Sequence, residues 1–409
     1  MMSVEEALDR ILSRVSPLGT ERVDLLSALG RVLAEPVAAH INIPSWANSS
    51  MDGYAVRSRD TESASNDRRA LLAIVGRIHA GRAPEKPLGP GEAVRIFTGA
   101  PLPPGTDSVI PQEEVEVEGA ELRVPRPISQ GEFVRPIGED LRAGETVLLP
   151  GRQVGPAEIG LLATLGRGQV EVYRRPSVAI VSTGDELVDL GETPGPGQIQ
   201  NSNTYSLMAQ VFEAGGVPEN LGVAPDRLEV IEERFRWGLS ADVLISSAGV
   251  SVGDYDYVRE ALTRLGADLH LWQVAMRPGK PITFGTAAGR PIFGLPGNPV
   301  SAMVTFELFV RPALRKMGGQ AELQRPELLA RALAPIPNPG RRRGYLRVTL
   351  ERRNGEHWAR LTGDQGSAIL RSMVTADGLA VVQPDTTVSE GGKVSVILLR
   401  SPGPWTGNS

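Results

Sequence analysis

The sequence predicts a multidomain protein, α/β plus β, whose central domain is a three-layer α/β/α sandwich on a parallel sheet. Three observations carry this expectation. The 409 residues exceed what one ordinary core holds, so roughly two to four domains are expected. Between Val178 and Met303, short apolar runs alternate with helical patterns, as in strand–helix–strand units. On both sides of that region the pattern changes to short β-type runs broken by Pro and Gly.

Taken in order, Ser3 and Glu6 form a capping-box pattern ahead of a helix. Val4, Leu8, Ile11, Leu12 and Val15 give that helix an apolar stripe, and Pro17 stops it. A second short helix is expected around 25–33. Such short, Pro-interrupted segments cannot bury their stripes alone, which predicts pairing of subunits through this region. From 70 to 149 the chain reads as a small β-rich domain inserted into the N-terminal segment. Pro156 then opens a helix carrying Ile159, Leu162 and Leu165, with Gly166 as its C-cap, and Arg174-Arg175-Pro176 reads as a hinge. Residues 178–181, 243–245 and 291–293 are unbroken apolar runs, which suits strands buried on both faces. Helices are expected at 203–214, 228–239, 257–265 and 300–317, with right-handed crossovers. After Arg325-Pro326, strands at 345–350, 358–361, 379–383 and 394–398 predict a small C-terminal β-barrel. The expected boundaries are 1–45 with 137–173 for the N-terminal dimerisation segment, 46–136 for the β-rich insert, 174–322 for the α/β domain and 323–405 for the barrel.

Composition narrows the function. A formal net charge of −5 argues against broad nucleic-acid binding. No apolar run is long enough to cross a bilayer, and the acidic, amphipathic start lacks the form of a signal peptide, so a soluble cytoplasmic protein is expected. Cysteine is absent, which excludes disulfides, thiolate metal sites and a cysteine nucleophile. The four histidines (His40, His79, His270, His357) show no metal-ligand spacing.

Candidate chemistry gathers after the strand ends, where open α/β sheets bind ligands. Asp185, Glu186, Asp226, Asp254 and Asp256 all fall in such loops or at helix starts. Mg²⁺ prefers oxygen ligands and bridges carboxylates to substrate phosphates, so such a set can hold a metal that clamps a pyrophosphate. Any one of these acids alone is equally an N-cap. Gly184, Gly249, Gly253 and Gly297 would let backbone amides approach an anion, or serve turn geometry only. Thr183, Ser247 and Pro296 stand in the same blocks as substrate contacts. Arg277 and Lys280 supply positive charge in an Arg-Pro-Gly-Lys-Pro turn that two prolines stiffen.

These blocks read VAIVSTGDEL, LISSAGVSVGDYDYV, AMRPGKPITFG and FGLPGNPVSA. With Asn48-Ser-Ser-Met-Asp-Gly-Tyr-Ala-Val56, Arg95-Ile-Phe-Thr-Gly-Ala-Pro-Leu-Pro-Pro-Gly105 and Ile137-Gly-Glu-Asp-Leu-Arg-Ala-Gly144, they cover most of the chain. Together they resemble the molybdopterin molybdenumtransferase family, to which the gephyrin E-type domain is related. The resemblance implies a homodimer that inserts molybdate into adenylylated molybdopterin, with Mg²⁺-dependent hydrolysis and release of AMP. It implies Glu186, Asp226 and Asp256 as groups organising metal and phosphates. Asp52 and Asp140 would line the cleft, facing the α/β domain of a second subunit, with Thr98 as a hydroxyl contact. Ser367 and the run Arg341, Arg342, Arg343 match family positions near the cleft. Arg277 and Gln273 stand where the family often has basic residues, and Asp364 where it usually has His. The missing thiols fit, because the dithiolene sulfurs come with the substrate. An adenylyltransferase and recipient molybdoenzymes are the implied protein partners. Two other readings share the α/β domain: the adenylyltransferase itself, which normally lacks the flanking domains, and a gephyrin-like scaffold, whose extra domains and long linker are absent.

Overall fold

The computed structural model describes residues 1–82, 84, 86–248 and 257–400, and the chain forms two compact units. One comprises Met1–Glu35, Pro150–Gly160 and the chain from Gly168 onward; the other comprises Pro36–Leu149 and Leu161–Arg167.

At the centre of the first unit is the strand Ser177–Thr183, parallel to Val217–Ala224 on one side and to Val243–Ser247 on the other. Arg290–Leu295 extends the parallel set beyond Val243–Ser247. Apolar side chains alternate along the central strand, so both faces are covered. Val178 and Ile180 pack with Leu207, Val211, Val304 and Phe309, while Ala179 and Val181 pack with Ile231, Phe235 and Leu262. Those partners sit on the helices Ser202–Glu213, Leu228–Gly238, Tyr257–Arg264 and Pro299–Thr305 and on the turn that follows. The three layers are as expected.

The sheet itself is mixed rather than parallel. Pro281–Ala287 runs antiparallel to Arg290–Leu295, and Asp268–Gln273 antiparallel to Pro281–Ala287. A two-residue hairpin makes the reversal: Ala288 (φ 50°) and Gly289 (φ 76°) are both left-handed, the geometry that matches strand twist. Ala at the first of these positions hides the turn from a search for Asn-Gly or Asp-Gly.

Two helical expectations also change. The segment expected as one helix over 300–317 widens into a π turn at Phe306–Val310 before resuming as Arg311–Met317. Pro312 has no N–H for the carbonyl four residues back, and the ladder accommodates this just before it. The first helix, Val4–Leu12, is capped as expected, with Glu6 N donating to Ser3 Oγ at 3.0 Å. Its stripe does not await a partner subunit: Val4, Ala7, Leu8 and Ile11 join the same core as Phe306 and Leu314. In place of a helix over 25–33 there is one 3₁₀ turn, Leu25–Ala28, with Gly30 (φ 74°) just beyond it. It leaves Leu26 79% and Leu29 53% exposed.

The C-terminal strands close into a barrel in the order Arg343–Arg353, Glu356–Leu361, Glu327–Ala332, Lys393–Leu398, Gly378–Val382 and back to Arg343–Arg353. Leu346, Val348, Leu350, Ala359, Ala380 and Val396 fill it. Glu327–Ala332 escapes sequence reading because Glu327 and Arg331 break its apolar pattern.

The second unit carries a six-stranded sheet ordered Ser108–Pro111, Gly53–Val56, Glu92–Ile96, Ala70–Ile78, Glu121–Val124 and Glu116–Glu118. The Asp-Gly pair of the Asn48–Val56 motif is not simply a turn. Gly53 begins a buried strand, and a Cβ there would collide with the Ile110 carbonyl.

The hinge Arg174-Arg175-Pro176 is fixed by one carboxylate. Arg174 donates to both Asp242 oxygens at 2.9 and 2.8 Å, and Ser177 adds its backbone N–H at 2.9 Å and its hydroxyl at 2.8 Å. Burial alone would raise the Asp242 carboxyl, but these donors favour its charged form and hold it at about 2, below the ordinary 3.8. Its stabilising contribution is therefore complete above the ordinary value and is lost as pH falls through the folded one. Asp242→Asn should cost about 1 kcal/mol at neutral pH, the Arg174 side being solvent-screened. It should also flatten the fall in Tm between roughly pH 4 and pH 2. Thermal melts across that range check this, and an acid limb identical to wild type would refute it.

Candidate active site

At the carboxyl ends of the parallel strands lies a pocket of about 670 Å³, within the first unit. Its walls are the loop after Ser177–Thr183 (Glu186, Leu187), the start of the helix Ser202–Glu213, the end of Val243–Ser247 with Ala248, the turn at Gly279–Pro281, and the loop after Arg290–Leu295; the barrel contributes Ala368. Three of these walls, those after Ser177–Thr183, Val243–Ser247 and Arg290–Leu295, begin where a buried strand ends, so the chain turns there and frees polar groups.

Glu186 is exposed and lines the pocket. Gly184 before it has φ 142°, and a Cβ would run into the Glu186 carboxylate, so glycine is required for that side chain to lie where it does. Thr183 is buried at the strand end, 3% exposed, and stands outside the lining. Ser247, Pro296 and Gly297 are on the wall, and Ala248 holds the left-handed φ of 75° that a non-glycine residue adopts only under constraint. Ala248 N donates to Leu295 O at 3.1 Å, tying the two loops together.

Asp185 and Asp226 also come together, with Asp226 N donating to Asp185 Oδ1 at 3.1 Å. Partial burial, then the negative charges of Asp185 and Glu186, raise the Asp226 carboxyl above its ordinary value. Asp226 itself stands outside the pocket lining. Gly249, Gly253, Asp254 and Asp256 lie outside the described residues. Among the described residues, no group of three or more metal-ligating side chains is assembled.

Positive charge is arranged differently from the expectation. Lys280 is exposed on the pocket wall, and the N-terminus of Ser202–Glu213 adds the positive end of a helix dipole. Arg277 lies outside the lining, on the short strand Met276–Arg277 paired to Arg343 and Gly344. Its charge, after burial, lowers the fully buried Arg347 to about 10. Two members of the arginine run bind the fold, Arg342 donating to Met276 O at 3.1 Å and Arg343 pairing with Glu5, while Arg341 is exposed; all three stand outside the lining. Ser367 Oγ accepts from Asn298 Nδ2 at 2.8 Å, while Asp364 closes its own turn onto Gly366 N at 2.8 Å. Gln273 ends the edge strand Asp268–Gln273, outside the lining.

Asp52, Thr98 and Asp140 belong to the second unit. Thr98 directs both its N–H and its hydroxyl to Asp52 Oδ1, each at 2.8 Å, so the hydroxyl expected to touch ligand holds this carboxylate instead. The backbone N–H first, then the hydroxyl, lower the Asp52 carboxyl below its ordinary value. Asp140 is exposed, with its own N–H on Ile43 O at 2.9 Å.

Sequence reading missed three asparagines on the pocket wall: Asn201, Asn203 and Asn298. Asn201 and Asn298 precede helices, where an asparagine signals a helix start rather than a ligand contact, and nothing in the sequence shows that Asn203 spans two loops. Thr98→Val should raise the Asp52 carboxyl toward its ordinary value while leaving the backbone bond in place. An NMR titration of Asp52 reads this directly, and an unmoved value would show that the hydroxyl contributes nothing.

Comparison with known proteins covers nearly the whole chain. Residues 2–166 match the MoeA N-terminal region (domain I and II), 179–316 the probable molybdopterin binding domain, and 330–399 the MoeA C-terminal region (domain IV). A molybdopterin molybdenumtransferase of Nostoc sp. is 40% identical, over 98% of this chain and 94% of its own. The Haemophilus influenzae enzyme of that name is 34% identical, over 97% and 98%. A solved molybdopterin biosynthesis MoeA protein from Pyrococcus horikoshii aligns with a TM-score of 0.84 at 33% identity, covering 98% of this chain and 100% of that one.

Proposed function

The chain belongs to the molybdopterin molybdenumtransferase family, and we propose that the pocket takes adenylylated molybdopterin for molybdate insertion with release of AMP. It is an enzyme of molybdenum cofactor biosynthesis. The observation that carries the detailed reading is the pocket within 179–316, where Glu186, Ser247, Lys280 and a helix N-terminus surround one space. Hydroxyls, amides and one lysine suit a phosphorylated heterocycle. In the proposed reaction, water attacks the phosphoanhydride and AMP leaves, while the dithiolene sulfurs of the substrate replace oxygen on molybdate, the oxygen departing as water with the thiol protons.

The carboxylates Asp185, Glu186 and Asp226 fit Mg²⁺ in chemistry: all are hard oxygen donors, and Asp226 is raised by partial burial and then by the negative charges of its two neighbours, which a cation would relieve. Glu186 and Asp226 would hold it, and when bound it would neutralise charge on the pyrophosphate. Lys280 binds and orients the adenylyl–pyrophosphate end. Asp52 and Asp140 are assigned to the insertion step. A carboxylate repels an oxyanion, so these residues serve metal bridging or proton transfer rather than molybdate binding itself. Asp52, held ionised by Thr98, keeps the negative charge that a bridging role needs.

The proposed assembly is a homodimer. Leu26 and Leu29 leave apolar surface exposed on the N-terminal segment, whereas the stripe of Val4–Leu12 is already covered. Light scattering at micromolar concentration should give twice the chain mass; a monomer would end this part of the reading. A cytoplasmic location belongs to the same proposal, and among the described residues no helix is long and apolar enough to cross a membrane.

Cofactor formation from purified adenylylated molybdopterin, Mg²⁺ and molybdate tests the reaction. Glu186→Gln should melt like wild type and lose on the order of a hundredfold in turnover. Asp52→Asn and Asp140→Asn should bind adenylylated molybdopterin as wild type does yet make no mature cofactor, while Lys280→Ala should bind it about tenfold more weakly. Calorimetry paired with the insertion assay separates these outcomes. Substrate affinity lost in the two aspartate variants would overturn the division of labour.

A further inference from the structure

Three groups on the pocket wall fix one another's hydrogen-bonding sense. Asn203 Nδ2 lies 2.7 Å from the Gly297 carbonyl and 2.9 Å from Ser247 Oγ. A backbone carbonyl only accepts, so the side-chain atom facing it must be the amide nitrogen. Its two hydrogens are then committed, one to Gly297 O and one to Ser247 Oγ. Ser247 Oγ therefore accepts from the amide, and its own hydrogen must point elsewhere. Ser247 is 1% exposed and lines the pocket, and among the described residues no group is recorded as accepting that hydrogen.

A second observation concerns the other end of the amide. Asn203 Oδ1 is buried and has no partner among the described residues. A side chain kept only for packing would not be expected to leave an acceptor unmade, since an unsatisfied buried polar atom destabilises the fold. The amide is held in place for its nitrogen.

We propose that Asn203 is a positioning residue for substrate binding. By donating to Ser247 Oγ it turns that hydroxyl into an obligatory donor, aimed at a phosphate oxygen of the ligand. The same amide joins the Ser247–Ala248 loop to the neighbouring Gly297 loop, so the donor is fixed relative to both. This rests on the reading of the ligand as adenylylated molybdopterin.

The test is a double-mutant cycle on the full chain, with adenylylated molybdopterin binding followed by calorimetry. Ser247→Ala should weaken binding about tenfold, as expected for a lost hydrogen bond to a charged group. Asn203→Ala should do the same, and the double variant should bind no more than about threefold more weakly than either single one, because both remove one directed hydrogen. Losses that multiply, or wild-type affinity in Asn203→Ala, would overturn the proposal. Asn203→Leu keeps the volume but cannot donate, so it frees Ser247 from its fixed sense without adding charge; it should match Ser247→Ala in affinity. It decides the matter should Asn203→Ala not fold, and wild-type affinity there overturns the proposal equally. Wild-type protein that fails to bind adenylylated molybdopterin would sink the functional reading instead.

Discussion

The arrangement of the α/β domain depends on the burial of one strand on both faces. Val178, Ala179, Ile180 and Val181 are each fully buried, and their side chains alternate between two separate cores. A strand enclosed this way leaves polar chemistry only at its ends. Its parallel neighbours Val243–Ser247 and Arg290–Leu295 share the same direction, so three loops emerge at one edge of the sheet and converge. Glu186, Ser247 and Gly297 reach one pocket for this reason, although more than a hundred residues separate the first from the last. Packing thus places the site, and its residue types then decide what it binds.

Three aspartates show how surroundings rather than identity set a carboxylate's behaviour. Asp242 is buried deeply enough that its charge should be disfavoured, yet Arg174 and Ser177 bring it to about 2, and it serves as a structural pin. Asp226 is partly buried, and Asp185 and Glu186 push it the other way. That crowding opposes the stability of the free protein and favours any ligand that brings positive charge. Asp52 is held down first by the backbone N–H and hydroxyl of Thr98, with the charge of Arg95 adding to them. The first is a finished interaction, whereas the other two leave the carboxylate available.

Local departures from ideal geometry fall where the pocket needs them. Ala248 adopts a left-handed backbone while its N–H is tied to Leu295 O, and Gly184 adopts an angle that no side chain would tolerate beside Glu186. These costs are carried by the enclosed strands on either side. The π turn at Phe306–Val310 is different in kind: it lies in the packed layer, where Phe306 and Phe309 are fully buried, and it follows from Pro312.

Sequence alone determined what depends on local pattern and residue type. The apolar runs announced the buried strands, Ser3 and Asn201 stood where the helices begin, and the motifs after the strand ends marked Glu186, Ser247, Lys280 and Gly297 as wall residues. Tertiary structure decided what depends on contacts between distant segments. It reversed one strand, Pro281–Ala287, through a hairpin with no standard turn signature, and it buried the stripe of the first helix inside its own chain. It turned the Thr98 hydroxyl toward Asp52 and drew Arg342 and Arg343 away into packing. It also brought Asn203 against both Ser247 and Gly297. The physical reason is the same throughout. Periodicity and capping are written into neighbouring residues, whereas the partner of a polar side chain is settled only once the whole core has brought its surroundings together.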